Sequence, residues 1–142
     1  MAFASHPFTQ PGLRACLRLA LLAMLGAALP GLAQAQASPP RVKAEIVALL
    51  SRLEASGCQF NRNGTWYPGA EAKTHLNRKF VYIDARSGAS SAEQFIDQAA
   101  TRSSMSGQAY LVQCGAAAPV ESNAWLKAQL AMLRKAQADT GR

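Results

Sequence analysis

The chain has 142 residues, 15 Lys and Arg against 8 Asp and Glu for a formal charge of +7, and an apolar fraction of 49%. That length bounds it to a single domain. A charged fraction of only 16% beside so many apolar residues excludes a disordered chain.

The apolar residues are concentrated in the first third. Arg14 and Arg18 precede the run Leu19 to Leu29, which is followed by Pro30-Gly31 and the small residues Ala33, Ala35 and Ala37. A basic start, an apolar core shorter than the roughly 20 residues that span a bilayer, and an Ala-x-Ala site are the ordered parts of a secretory signal peptide. Residues 1–37 therefore read as a leader cleaved after Ala35 or Ala37, and the helix-breaking Pro30-Gly31 disfavours a retained anchor. Cys16 precedes the apolar core, which disfavours a lipid anchor. Loss of the leader takes Arg14 and Arg18 with it, lowers the formal charge to +5, and leaves Cys58 and Cys114 as the remaining cysteines. In an oxidising compartment this pair is expected to form a disulfide, which the chain-entropy account values at about 4 kcal/mol. There is no Cys-x-x-Cys for redox work, and one His with two Cys is too small a set for zinc. No metal or cofactor is expected.

Ser38-Pro39-Pro40 opens a first helix, in which Val42, Ile46, Leu49, Leu50 and Leu53 recur at helical spacing until Gly57 ends it. Lys43, Arg52 and Glu54 face away from that stripe. Gln59 to Arg62 and Thr65 to Tyr67 flank Asn63-Gly64, a dipeptide suited to the positive φ angles of a tight hairpin. Ala72, Leu76, Phe80 and Ile83 mark a second helix, with Lys73, His75, Arg78 and Lys79 on or beside its polar side and Ser87-Gly88 closing it. Ser90 and Glu93 have capping-box spacing, and Ala92, Phe95, Ile96, Ala99 and Ala100 continue as a third helix. Gln108 to Cys114 carries the residues of a strand, Gly115 to Pro119 is a connector, and Ser122 caps a last helix bearing Trp125, Leu126, Leu130 and Leu133. Residues 136–142 form a polar tail expected to fray. The expected fold is α+β, with about four helices on a small antiparallel sheet in one compact domain over residues 38–135.

Taken together, Phe60-Asn61-Arg62-Asn63-Gly64, then Glu71-Ala72 with His75-Leu76 and Lys79, then Ala92-Glu93-Gln94-Phe95-Ile96, then Ser103-Ser104-Met105-Ser106-Gly107-Gln108 and Tyr110, resemble the YfeK-like family of small exported bacterial proteins. The resemblance spans nearly the whole mature chain. It implies a periplasmic address and no assigned activity.

The residues with chemical potential are Arg62, His75, Lys79, Arg102 and the serine loop with Ser104 and Ser106. Serine hydroxyls and backbone N–H groups between a helix end and a strand can hold an anion, and neighbouring arginines would add charge-assisted hydrogen bonds. The structural alternatives are a hairpin arginine, a solvated His75 paired with Glu71, and serines that only turn the chain. A hydrolase would need Ser104 or Ser106 as nucleophile with His75 as base and an acid such as Glu71, yet no Gly-x-Ser-x-Gly elbow is present. Nucleic acid is a poor partner for dispersed charges totalling +5 outside the cytoplasm. The reading is a periplasmic, non-enzymatic binding module, without a membrane span once the leader is cleaved, whose basic patch takes an anionic envelope component or a partner protein.

Overall fold

The computed structural model describes residues 36–141. The expected leader falls on residues 1–37 and, apart from its last two, lies outside the described residues. Eight elements follow in chain order: α1 (Pro40–Ala55), β1 (Gln59–Arg62), β2 (Thr65–Pro68), α2 (Gly69–Arg86), α3 (Ala92–Ala99), β3 (Leu111–Gln113), β4 (Val120–Glu121) and α4 (Ser122–Thr140). The strands form one antiparallel sheet in the order β2-β1-β3-β4, and the architecture is the α+β arrangement expected. No helix among the described residues is long and apolar enough to cross a membrane.

The helical stripes seen in the sequence are the ones that enter the core. Val42, Ile46, Leu49, Leu50 and Leu53 of α1 are buried together with Leu76 and Phe80 of α2, Phe95 and Ile96 of α3, and Leu126 and Leu130 of α4. Aromatic edges meet faces within it, Phe80 on Phe95 at 5.5 Å and Phe60 on Trp125 at 5.6 Å. The residues facing away from the α1 stripe are occupied too. Lys43 pairs with Asp84, Arg52 donates to Gln129 and Glu54 accepts from Lys73. Arg134 of α4 reaches both Glu45 of α1 and Glu93 of α3, fastening three helices through one guanidinium.

In the β1–β2 hairpin, Asn63 (φ 53°) and Gly64 (φ 84°) occupy the left-handed region that a two-residue primed turn requires, and Asn61 Oδ1 accepts the Gly64 N–H. Strand β1 pairs with β3 so that Gln59 faces Gln113 and Phe60 faces Val112. One step further in that register Cys58 faces Cys114, and the two are joined in a disulfide across 56 positions of chain, their Cα atoms 4.2 Å apart.

Five details depart from the sequence reading. The side-chain cap of α3 is Ser91, whose Oγ accepts the Gln94 N–H, while Ser90 is held by the Gln94 side chain. Ser122 does not cap α4 through its side chain; it is buried, and its backbone N–H donates to Tyr110 O. The strand expected from Gln108 begins only at Leu111, because the preceding residues are drawn to another partner: Ala109 bridges Arg102, and Tyr110 N–H donates to Thr101 O. Strand β4 was not anticipated, since two residues after a proline carry no alternation. Helix α4 continues through Thr140, past the point where its apolar spacing ends.

Helix α2 starts against the end of α1. A Cβ on Gly69 would lie 2.8 Å from the carbonyl oxygens of both Leu53 and Glu54, so the two helices approach as closely as they do because that position is bare. Gly69→Ala is expected to force them apart and to destabilise the fold by about 1–3 kcal/mol in chemical denaturation. Reduction of Cys58–Cys114 should lower the thermal midpoint by about 15–30 °C, read by circular dichroism with and without a strong thiol reductant.

Candidate functional site

The hairpin and α2 together build a cleft. Strand periodicity places Phe60 and Arg62 on one face of β1, and cross-strand pairing sets Tyr67 opposite Phe60 on that same face. Helical periodicity places Glu71, His75 and Arg78 on successive turns of α2 facing the hairpin. Tyr110, Leu111 and Ser122 close the far end, and the enclosed space is about 270 Å³. Its walls combine apolar side chains, among them Phe60, Ala72, Leu76 and Leu111, with the polar ends of Asn61, Arg62, Thr74, His75 and Arg78.

Arg62 is the best-held of these groups. Its guanidinium lies 5.2 Å from the centroid of the Tyr67 ring, and Nη1 donates to His75 Nδ1 at 2.8 Å. No carboxylate pairs with it among the described residues, where the ion pairs engage Arg41, Lys43, Lys73, Lys127 and Arg134. An arginine only donates, so Nδ1 must be the acceptor, and the neutral imidazole carries its proton on Nε2. Burial in the cleft, and then the charges of Arg62, Lys79 and Arg78, push His75 down to about 4. The imidazole is therefore neutral near pH 7. As a base it is too weak there for efficient proton abstraction, and among the described residues its side-chain hydrogen bonds are with Arg62.

Not every residue anticipated from the sequence meets in this cleft. Arg62 and His75 do. Lys79 lies on the neighbouring side of α2, where Nζ donates to Ala99 O at 2.7 Å and to Tyr110 Oη at 3.1 Å, tying α2 to the end of α3. Arg102 is exposed, its backbone bridged to Ala109. Ser104 is exposed on a loop outside the cleft lining. In that loop Ser103 Oγ accepts the N–H groups of Met105 and Ser106, Ser103 O accepts that of Gly107, and Ser106 Oγ accepts that of Gln108. Ser106 Oγ in turn donates to Asn63 Oδ1 at 2.6 Å and so fastens the loop to the hairpin tip. The amides of Met105, Ser106, Gly107 and Gln108, four of those that would greet an anion, are already engaged within the loop.

Tyr67, Arg78, Tyr110 and Ser122 line the cleft although the sequence reading gave them no site role. Arg78 was accessible to it, being one helical turn beyond His75. Tyr110 and Ser122 arrive from the distant half of the chain, joined by the Ser122 N–H to Tyr110 O bond, and nothing local marks them.

The family model described as Family of unknown function (DUF5329) matches residues 40–134, from the first turn of α1 into α4. The chain belongs to this family. No curated protein and no solved structure matches it.

The unfolded chain titrates His75 near 6.5 and the folded chain near 4, so on acidification the unfolded state takes up this proton first. The stability this group contributes is complete above about 6.5 and is lost as the pH falls from there toward 4. The unfolding midpoint in urea should decline between pH 6.5 and 5, before most carboxylates titrate, and His75→Gln should flatten that slope. Arg62→Ala, by removing a cation and a donor, should raise the His75 midpoint in a proton NMR titration.

Proposed function

We propose that this protein is an exported, periplasmic binding module of YfeK-like kind, and that the cleft between the β1–β2 hairpin and α2 receives the carboxylate of an anionic envelope component. The observation that carries this reading is Arg62: a guanidinium held in place by a neutral histidine and a tyrosine ring, without a carboxylate partner among the described residues, and open to a space of about 270 Å³. Its remaining N–H groups form a planar fork that matches a carboxylate. Arg78 adds a second positive charge on the same wall, which with Arg62 outweighs the single carboxylate of Glu71 there, and His75 Nε2–H adds a neutral donor.

The volume falls just below the roughly 300–1,000 Å³ that enclose a drug-sized ligand, which suits a small terminal group better than a whole large molecule. Apolar walls beside a cationic fork suit the carboxyl end of a short peptide, the chemistry found at the ends of peptidoglycan stems. Export is supported by the leader pattern ending at Ala35 or Ala37 and by the Cys58–Cys114 disulfide, which belongs in an oxidising compartment. A binding role is supported by the weak basicity of His75, by the engagement of its ring with Arg62, and by the tie of Ser106 Oγ to Asn63.

The probe is N-acetyl-D-alanyl-D-alanine, followed by NMR shifts of the Arg62, His75 and Tyr67 resonances. Saturable binding is expected, weakened by added salt, and about ten- to hundredfold weaker in Arg62→Ala, the range of a charge-assisted hydrogen bond. The C-terminally amidated dipeptide should not bind. Equal affinity for the amidated probe, or for Arg62→Ala, would refute the assignment.

A further inference from the structure

Ser38 is in an unusual position for a residue just ahead of the first helix. It is only 3% exposed. Its backbone N–H donates to Asp84 Oδ1 at 2.8 Å, and its Oγ accepts the Ala89 N–H at 2.7 Å. The other Asp84 oxygen holds Lys43 Nζ at 2.6 Å. The turn that follows α2 is bare where this segment passes: a Cβ on Gly88 (φ +65°) would lie 2.8 Å from Ser38 N, and would also meet Gln36 O and Ala37 C, which leave with the leader if the chain is cut before Ser38. Gln36 and Ala37, by contrast, are exposed.

The sequence offers two cleavage frames, Ala33-Gln34-Ala35 and Ala35-Gln36-Ala37, and does not choose between them. The structure separates them, because only one frame creates its new amine at the nitrogen that already faces a carboxylate. We propose that Ser38 is the first residue of the working protein and that its α-ammonium is seated on Asp84, so that removal of the leader completes an ion pair between the start of α1 and the end of α2. This inference rests on the export reading above and extends it to a defined terminus.

The chemistry balances as a hydrolysis by a host leader peptidase. Water adds across the Ala37–Ser38 peptide bond, its oxygen leaves with Ala37 as a carboxylate, and the Ser38 nitrogen keeps the bonding pair and is protonated to the ammonium. One neutral donor thereby becomes a cation with three. Asp84 is suited to receive it, with one oxygen for Lys43 and one for Ser38. Hydrogen bonds from Lys43 and Ser38 hold its carboxyl down to about 2, so it is ionised wherever the protein is folded. A neutral backbone contact thus becomes a charge-assisted one when the leader is removed.

The test exports the full-length chain in a bacterial host with an outer membrane, recovers it from the periplasm and measures its intact mass. A chain beginning at Ser38 is expected. A chain beginning at Gln36 overturns the inference and leaves export standing, whereas one retaining Met1 overturns both. On the recovered protein, acetic anhydride at pH 7 should modify the α-amine about tenfold more slowly than in Asp84→Asn, the change produced by one unit in the amine's protonation equilibrium. Lys43→Met, which leaves Asp84 to the terminus alone, should keep the slow rate whether or not Asp84→Asn folds. Modification of the wild-type or Lys43→Met terminus as fast as a free Ser-Pro-Pro peptide overturns the pairing.

Discussion

The structure depends first on the antiparallel pairing of β1 with β3. These strands come from distant parts of the chain, and their ladder is extended in register by the Cys58–Cys114 disulfide. Everything near the cleft takes its position from that seam. Phe60 and Val112 face each other across it and are buried in the core. Arg62, two residues beyond Phe60 on the same face, is carried out to the rim. Long-range pairing of this kind bears a loop-closure cost before any contact rewards it, and the covalent bridge lowers that cost in the unfolded chain.

The helices answer a different constraint, which is how to bury four apolar stripes while leaving one wall open. Helix α2 approaches α1 closely at Gly69 and buries Leu76 and Phe80, yet turns His75 and Arg78 toward the hairpin. The polar groups around the core are paired where they serve packing: Arg134 with Glu45 and Glu93, Lys43 with Asp84, Lys79 with Ala99 O and Tyr110 Oη. Arg62 is held by an imidazole and a ring instead of an acid. That difference sets it apart from the structural cations.

His75 illustrates how the site tunes itself. Burial and three nearby cations keep it uncharged, and an uncharged imidazole can accept from Arg62 where an imidazolium would repel it. The histidine therefore orients the arginine and presents a donor to the cleft, while the arginine helps keep the histidine neutral. The two residues form one unit.

The sequence by itself determined the four helical stripes, the Asn63-Gly64 hairpin and the pair of cysteines that closes the domain, because these are written in local periodicity, turn chemistry and composition. It also named Arg62 and His75, but with the same weight as Lys79, Arg102, Ser104 and Ser106. Only the tertiary structure divided that set. Lys79 was claimed by Ala99 O and Tyr110 Oη, the serine loop satisfied its own amides, and Tyr110 and Ser122 were delivered to the cleft from the far half of the chain. The physical reason is that periodicity records which face a residue occupies, whereas the partner that satisfies a polar group is chosen by chain segments many residues away.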